Sequence, residues 1–170
     1  MRNVAFIAIA AALVACGSTP TPQTDLDLEM KAEDFGCILD WPKVRRFRIT
    51  NKLGFLEEAL ATANAGRGTY PPGTIIQLVP DEAMVKRRSG WNPSTNDWEF
   101  FALSNANGLT TIRARGAEET KNAFGGNCFD CHSKAAPEYD FLCESGHGCA
   151  PIPLSPELIE SIQSSDGRCR

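Results

Sequence analysis

Seven of the 170 residues are cysteines, and their spacing assigns them to three different uses. Two of them, Cys128 and Cys131, form a close pair that is followed at once by His132. The other five are widely spaced: Cys16, Cys37, Cys143, Cys149 and Cys169. The close pair indicates a chemical function, the first cysteine indicates where the protein is located, and the remaining four indicate cross-links that stabilise the fold.

The segment from Cys128 to His132 has the C-x-x-C-H spacing that is typical of c-type haem attachment. Two thiols three positions apart can each form a thioether to a vinyl group of one porphyrin, and the adjacent imidazole then lies below the iron. A redox dithiol usually follows a strand, and no apolar strand precedes this pair. A zinc site would need a second close pair, and Cys143 and Cys149 are too far apart for that. The motif predicts one covalent haem c, with His132 as axial ligand of the iron.

Four cysteines remain after the motif and the first cysteine are set aside, and an even remainder indicates two disulfides in an oxidising compartment. Three pairings of Cys37, Cys143, Cys149 and Cys169 can be written. The short interval between Cys143 and Cys149 contains two glycines and favours a tight loop, which would leave Cys37 to join Cys169. Free, buried thiols are the alternative.

The N-terminal residues predict export. Residues 1–15 have a positive charge followed by an apolar run, as in a secretory signal peptide. The end of this segment, Leu-Val-Ala-Cys-Gly, resembles the lipobox of bacterial lipoproteins, which implies cleavage before Cys16 and lipidation of its thiol. A stretch rich in Ser, Thr and Pro follows, so residues 16–33 are predicted to be the lipidated cysteine and a flexible tether, and residues 34–170 the folded domain. Gly17 after the cysteine favours the outer membrane, facing the periplasm; a soluble periplasmic protein is the alternative.

Composition argues against three classes of protein. The net charge of -4 and the isoelectric point near 5.2 argue against nucleic-acid binding. The longest uncharged apolar run covers residues 4–15, whereas a membrane-spanning helix needs about 20 residues. Only two histidines are present, so no Ser/His/Asp triad is available once one of them binds haem.

Hydrophobic periodicity predicts an α+β domain, mainly an antiparallel β-sheet with a few short helices. Alternating or β-branched runs predict strands at residues 44–50, 74–79, 98–103, 109–114 and 139–143. Helical spacing predicts helices at residues 53–66, with Asn51 and Gly66 as caps, at 118–124, and from Ser155 onward with Leu158, Ile159 and Ile162 buried. Class I cytochromes c are instead all-helical, carry the motif near the N-terminus and supply a later methionine as ligand, and no methionine follows Cys131 here.

Several segments together resemble the cytochrome P-460 family, which includes the β-sheet cytochromes c′. They are Pro-Gly-Thr-Ile-Ile at 72–76, Asp-Trp-Glu-Phe-Phe at 97–101, the haem motif at 128–132, and Glu-Tyr-Asp-Phe-Leu at 138–142 as the closing strand. The resemblance implies a single-haem domain of the P-460 type, His132 as the only protein ligand, and an open distal site. Hydroxylamine oxidation and nitric oxide binding are the activities known in this family.

The chain departs from the hydroxylamine-oxidising members at one position. Those members have a lysine on the central strand that bonds to the porphyrin edge, and Leu78 stands at about that place here. The nearest downstream lysine is Lys86, beyond Pro80. The cross-linked haem and hydroxylamine oxidation are therefore disfavoured. The predicted lining of the distal pocket consists of Leu78 and the aromatic residues Phe47, Phe100 and Phe101, for which an ordinary core position is the alternative.

Two residues could fill the distal site instead. His147 lies between two glycines, which favours a solvated loop, and Met84 could supply a thioether ligand. The basic run at residues 86–88 is interpreted as a solvated loop, with pairing to haem propionates as the alternative.

The sequence thus predicts a membrane-anchored, periplasm-facing cytochrome that binds nitric oxide or a similar small diatomic ligand. The alternatives are a six-coordinate electron-transfer protein with a redox partner protein, and an oxidoreductase that acts on hydroxylamine or a related nitrogen oxide.

Overall fold

The computed structural model describes residues 28–169. The predicted signal peptide, Cys16 and most of the tether lie outside these residues. The described elements are β1 (Lys43–Val44), β2 (Phe47–Asn51), α1 (Leu56–Ala65), β3 (Thr74–Gln77), β4 (Glu82–Lys86), β5 (Trp98–Ser104), β6 (Thr111–Arg115), α2 (Cys128–His132) and α3 (Pro156–Ser164). Short 3-10 turns connect several of them.

The six strands form one antiparallel sheet in the order β1-β2-β3-β4-β5-β6, so each strand pairs with the next along the chain. Ile49 on β2 pairs with Ile76 on β3, Ile76 pairs with Met84 on β4, and Met84 pairs with Phe100 on β5. The predicted α+β class with a mainly antiparallel sheet is confirmed.

Strand β5 shows how the sheet separates two cores. Successive side chains on a strand point to opposite faces. Trp98 and Phe100 belong to the cluster on one face, with Ile49, Ile76, Met84 and Cys128. Phe101 and Leu103 belong to the cluster on the other face, with Phe35, Ile75 and Val85. We call these the motif face and the opposite face.

Helix α1 confirms the predicted helix, but it begins at Leu56 and its N-cap is Phe55, not Asn51. Asn51 Oδ1 accepts hydrogen bonds from the backbone N–H groups of Leu53 and Phe55, and so organises the turn that leads into the helix. Gly66 ends the helix at φ 69°, a left-handed conformation that glycine adopts without steric cost. Predicted helix α3 is also present, and Ser155 Oγ accepts from Leu158 N at its start.

Three local predictions were wrong. Residues 82–86, for which no strand is predicted, form β4. Four of them, Ala83, Met84, Val85 and Lys86, are buried, and pairing with the neighbouring strands overrides a run without strand periodicity. Residues 118–124 form no helix, because Asn122 Oδ1 accepts from Phe124 N and Gly126 N and closes a turn there.

The predicted last strand at residues 139–143, which includes the family-like closing segment, is absent as well. Asp140 and Phe141 have φ values of 49° and 63°, in the left-handed region. A strand needs extended backbone, so two consecutive residues in this conformation break it.

Two packing predictions also need correction. Leu28 and Met30, assigned to the tether, are buried in the cluster on the opposite face, so the folded part begins before residue 34. On α3, Ile159 is buried, but Leu158 is 47% exposed. Gln163 takes the buried position instead, where its Nε2 donates to the carbonyl oxygens of Arg46 and Leu78.

Both disulfides have the pairing that the spacing favoured. Cys37 and Cys169 are joined across 132 positions with their Cα atoms 4.7 Å apart, and Cys143 is joined to Cys149 with Cα atoms 5.7 Å apart. The first disulfide therefore ties the beginning of the described chain to its end. No helix within residues 28–169 has the length and apolar character needed to cross a bilayer.

Candidate haem-attachment site

The C-x-x-C-H motif forms α2, a single helical turn held at its start by Asn127. The Asn127 side chain accepts from Asp130 N at 2.9 Å and donates to the carbonyl oxygens of Ala117 and Glu118. Cys128 N donates to Thr120 O at 3.1 Å. These bonds fix the motif against the segment that follows β6, at the motif face of the sheet.

The two motif cysteines have different surroundings. Cys128 is 9% exposed and packs in the cluster on the motif face, whereas Cys131 is partly exposed. Burial raises the pKa of the Cys128 thiol to about 12, and the charge of Glu82 and the neighbouring Cys131 add to this effect. Neither sulfur is in a disulfide, so both are available for thioethers.

The imidazole ring of His132 is oriented by a hydrogen bond at one of its two nitrogens. Its Nδ1 lies 2.6 Å from the carbonyl oxygen of Phe141. A carbonyl only accepts, so Nδ1 carries the proton and Nε2 keeps its lone pair. Burial lowers the pKa of this imidazole, and the bond to Phe141 offsets part of that shift. A histidine that binds a metal usually donates its other N–H in this way, so this residue fits an axial ligand.

The Phe141 carbonyl is itself fixed by the residue before it. The Asp140 carboxylate accepts from Tyr70 N at 2.8 Å, from Lys86 Nζ at 2.6 Å and from Asn96 Nδ2. Trp98 Nε1 donates to the Asp140 carbonyl oxygen at 2.7 Å. These groups come from β4, β5 and two loops, and together they hold two adjacent left-handed residues that are unfavourable without such support.

The aromatic rings of Phe100 and Phe141 lie next to the motif, and that of Phe129 belongs to it. The ring of Phe100 is 5.2 Å from that of His132 and 6.1 Å from that of Phe129, and Phe129 is 6.0 Å from Phe141. The surroundings of the imidazole are therefore largely apolar, which suits a porphyrin ring.

The four residues predicted to line a distal pocket do not all lie together. Phe47 and Phe100 are buried on the motif face, and Leu78 packs against the same cluster. Phe101 lies on the opposite face, where its ring is 5.0 Å from that of Phe35. The alternation of β5 separates it from its neighbour Phe100, so Phe101 is not brought to the motif.

The basic run at residues 86–88 is not a solvated loop throughout. Lys86 is 4% exposed and Arg87 is 5% exposed, and only Arg88 is exposed to solvent. Lys86 pairs with Asp140, and burial lowers the pKa of its ammonium group although Asp140 opposes that shift. Arg87 Nη1 donates to Glu99 Oε2 at 3.0 Å.

His147 is not a solvated loop residue either. It is 9% exposed, its ring stacks on that of Tyr139 at 3.7 Å, and its Nδ1 lies 2.7 Å from the carbonyl oxygen of Leu142. The disulfide loop around it folds back onto the protein, which buries the ring. His147 also lines a cavity of about 360 Å³ together with Arg45, Arg46, Gly66, Glu144 and Ser145.

Met84 is the other ligand candidate, and it lies on the motif face. It is 4% exposed, shares the cluster of Cys128, and pairs across the sheet with Phe100, whose ring contacts His132.

Two residues of the site were missed by the sequence analysis. No sequence motif identifies Asp140. The only signal for its role is that aspartate tolerates left-handed backbone better than most residues do. Glu82 is partly buried, accepts from Ala123 N at 3.0 Å, and raises the pKa of Cys128 through its charge. Its own pKa is raised by burial. No strand is predicted at residues 82–86, so the sequence gives no reason to place this carboxylate beside the motif.

Comparison with models of protein families, with curated proteins and with solved structures found no match to this chain. The resemblance to the cytochrome P-460 family therefore stays a prediction.

Proposed function

We propose that this chain is a single-haem c-type cytochrome that binds nitric oxide or a similar small diatomic ligand. Cys128 and Cys131 would hold the porphyrin by thioethers, and His132 would be the axial ligand on one side of the iron. We propose further that the other side of the iron is open.

One observation carries this proposal: the histidine of a C-x-x-C-H motif is oriented by a backbone carbonyl. The bond from His132 Nδ1 to Phe141 O leaves Nε2 as the only ring atom that can bind a metal. Both neighbouring cysteines are unpaired thiols on the same helical turn. A structural histidine could make the same hydrogen bond, but the two adjacent free thiols favour haem.

When bound, haem would supply an iron whose free position takes a diatomic ligand, and the polarity and access of that position decide between binding, activation and electron transfer. We propose that Phe47 and Leu78, on the motif face, would contribute an apolar surface there. Such a surface holds a small uncharged ligand without offering donors to a polar substrate such as hydroxylamine. The ring of Phe100 lies 5.2 Å from that of His132, so it would be beside the axial ligand and not across the iron from it.

The residue at the position of the family's cross-linking lysine, Leu78, supports the binding of a diatomic ligand over the oxidation of hydroxylamine. Leu78 has no nucleophile that could bond to the porphyrin. The nearest downstream amine, Lys86 Nζ, is held at 2.6 Å from Asp140 and 2.7 Å from the Asn96 carbonyl oxygen. An amine engaged in this way is not free to react, so the porphyrin would stay an ordinary haem c.

The first test is covalent attachment. The exported protein should keep its haem through acid–acetone extraction, and its mass should exceed that of the polypeptide by one haem. Replacing both motif cysteines, Cys128→Ala and Cys131→Ala, should abolish stable holoprotein, whereas Cys37→Ser with Cys169→Ser should still retain haem. Complete loss of haem from the unaltered protein on extraction would contradict the proposal.

The second test is the optical spectrum of the ferrous protein with carbon monoxide and with nitric oxide. Both should shift it, and turnover of hydroxylamine with an artificial electron acceptor should be negligible. Robust turnover would favour an oxidoreductase of nitrogen species. Leu78→Lys examines the same idea, because a cross-linked, red-shifted haem in that variant would place residue 78 at the porphyrin edge.

We also propose that lipidated Cys16 anchors the protein to the outer membrane, facing the periplasm. Cys16→Ala should then release soluble protein into the periplasm. A variant that still fractionates with membranes would mean that something other than this lipid holds the chain there.

A second candidate function is electron transfer with a six-coordinate haem, which would require a redox partner protein. The observation that favours it is the position of Met84 on the motif face, beside Phe100. A thioether ligand there would raise the potential. The spectrum of a Met84 variant separates the two functions.

A further inference from the structure

Three sulfur atoms meet beside the motif, and only two of them are bonded to each other. The sulfurs of Cys131, Cys143 and Cys149 all lie within 4.8 Å of one another. Cys143 and Cys149 form a disulfide, whereas Cys131 is a free thiol. All three residues are partly exposed. A free thiol thus stands next to a disulfide, in a position that the proposed haem function does not explain.

The contact between the two segments is built into the backbone. Ala136 N donates to His147 O at 2.8 Å, which ties the disulfide loop to the chain that follows α2. Gly148 has φ 105°, and a Cβ at that position would lie 2.6 Å from the carbonyl oxygen of Lys134. Only glycine allows this approach. Cys143 Sγ lies 3.7 Å from the carbonyl oxygen of Cys131, so the disulfide packs directly against the motif.

We propose that Cys131 is a nucleophile that exchanges with the Cys143–Cys149 disulfide whenever its thiol is not occupied by haem. The Cys131 thiolate attacks one sulfur of the disulfide, and a new S–S bond forms. The old S–S bond breaks, its electron pair stays on the departing sulfur, and that sulfur takes up a proton as the new thiol. One disulfide is present before and after, so no oxidant or reductant is needed.

The two motif cysteines differ in how readily they can attack a disulfide. Cys128 is buried, and its raised pKa keeps it a neutral thiol, which is a poor nucleophile. Cys131 is the more exposed of the two, and it is the one beside the disulfide. The haem-free chain would therefore exist as a mixture of disulfide isomers, and a thioether at Cys131 would remove the nucleophile and fix the Cys143–Cys149 pairing.

The experiment uses the full exported chain prepared without haem. It is held anaerobically at about pH 8, because disulfide exchange runs through a thiolate, then quenched with acid, alkylated with N-ethylmaleimide and mapped by mass spectrometry. We expect peptides in which Cys131 is joined to Cys143 or Cys149, with the displaced cysteine alkylated in equal amount.

Two variants assign the reaction. Cys131→Ser should abolish alkylation of Cys143 and Cys149, and the matched change Cys128→Ser should leave it in place. Alkylation of the loop cysteines that persists in Cys131→Ser overturns the proposal. A second result would also overturn the proposal: in the unaltered chain, Cys131 is fully alkylated and the Cys143–Cys149 disulfide is the sole linkage among these three residues. This result decides the question even if a variant fails to fold. Because no haem is present, the result is independent of the haem-retention test.

Discussion

The ammonium group of Lys86 lies 2.6 Å from the carboxylate of Asp140, with both side chains almost completely buried. Asp140 directly precedes Phe141, whose carbonyl holds the candidate ligand His132. The ion pair on β4 therefore supports the loop that orients the imidazole. This arrangement connects the stability of the sheet to the geometry of the motif.

Removing one charge of the Lys86–Asp140 pair should lower the free energy of unfolding. Asp140→Asn leaves Lys86 buried without a counter-charge, and loss of one partner of a buried pair typically costs about 3–5 kcal/mol. Glu160→Gln is the control, because it breaks an exposed pair with Lys43, and such pairs contribute about 0–1 kcal/mol. Denaturant unfolding of both variants measures the difference. Equal effects of the two changes would contradict a structural role for the Lys86–Asp140 pair.

The hydrogen bond between His132 and Phe141 predicts one tautomer. In the haem-free protein, nitrogen-15 NMR should show neutral His132 with the proton on Nδ1, since the partner oxygen can only accept. Removal of Asp140 should loosen the loop and mix the two tautomers. A proton found on Nε2 in the unaltered protein would mean that the nitrogen needed for iron is already occupied.

Replacement of the two other candidate ligands tests the open distal site. Met84→Leu keeps the side-chain volume nearly constant and removes the sulfur, so packing should change little. If the site is open, the ferrous spectrum is high-spin and is the same in Met84→Leu and in His147→Ala, and only His132→Ala loses it. A low-spin spectrum that collapses in Met84→Leu would establish the electron-transfer alternative.

The two disulfides should differ in their effect on stability. In the chain-entropy model a cross-link stabilises more when it closes a longer loop. The sequence separations are 132 for Cys37–Cys169 and 6 for Cys143–Cys149. Replacing both cysteines by serine should cost about 5 kcal/mol for the first pair and about 2 kcal/mol for the second. Denaturant midpoints of the two double variants test this order, and the reverse order would show that loop length does not govern it.

Glu82 should make stability depend on pH in the acid range. Its pKa in the folded protein is raised above its ordinary value of 4.5, chiefly by burial. Between those two values the folded state holds a proton that the unfolded state has lost, so the free energy of unfolding falls as the pH rises through this window.

Glu82→Gln should remove that part of the profile, because the amide oxygen can still accept from Ala123 N while no charge is buried. Glu58→Gln on the exposed side of α1 is the control for the loss of one negative charge and should leave the profile in place. Unfolding curves across this pH range give the measurement. A slope that survives in Glu82→Gln would assign it to another group.

The sequence by itself determined the features that depend on local chemistry. The C-x-x-C-H spacing selects Cys128, Cys131 and His132, and the five-residue interval favours the Cys143–Cys149 loop, which also assigns Cys37 to Cys169. Strand periodicity at β5, the glycine C-cap of α1 and the serine N-cap of α3 are local too, because each depends on residues within one or two turns of the chain.

The tertiary structure decided what depends on partners far apart in the chain. β4 is a strand because β3 and β5 pair with it, and Phe101 lies away from the motif because the pleat of β5 turns it to the opposite face. Asp140 gains its role only when Tyr70, Lys86, Asn96 and Trp98 converge on it. Their hydrogen bonds stabilise left-handed backbone that the residues near 140 would not adopt alone, and this conformation directs the Phe141 carbonyl toward His132.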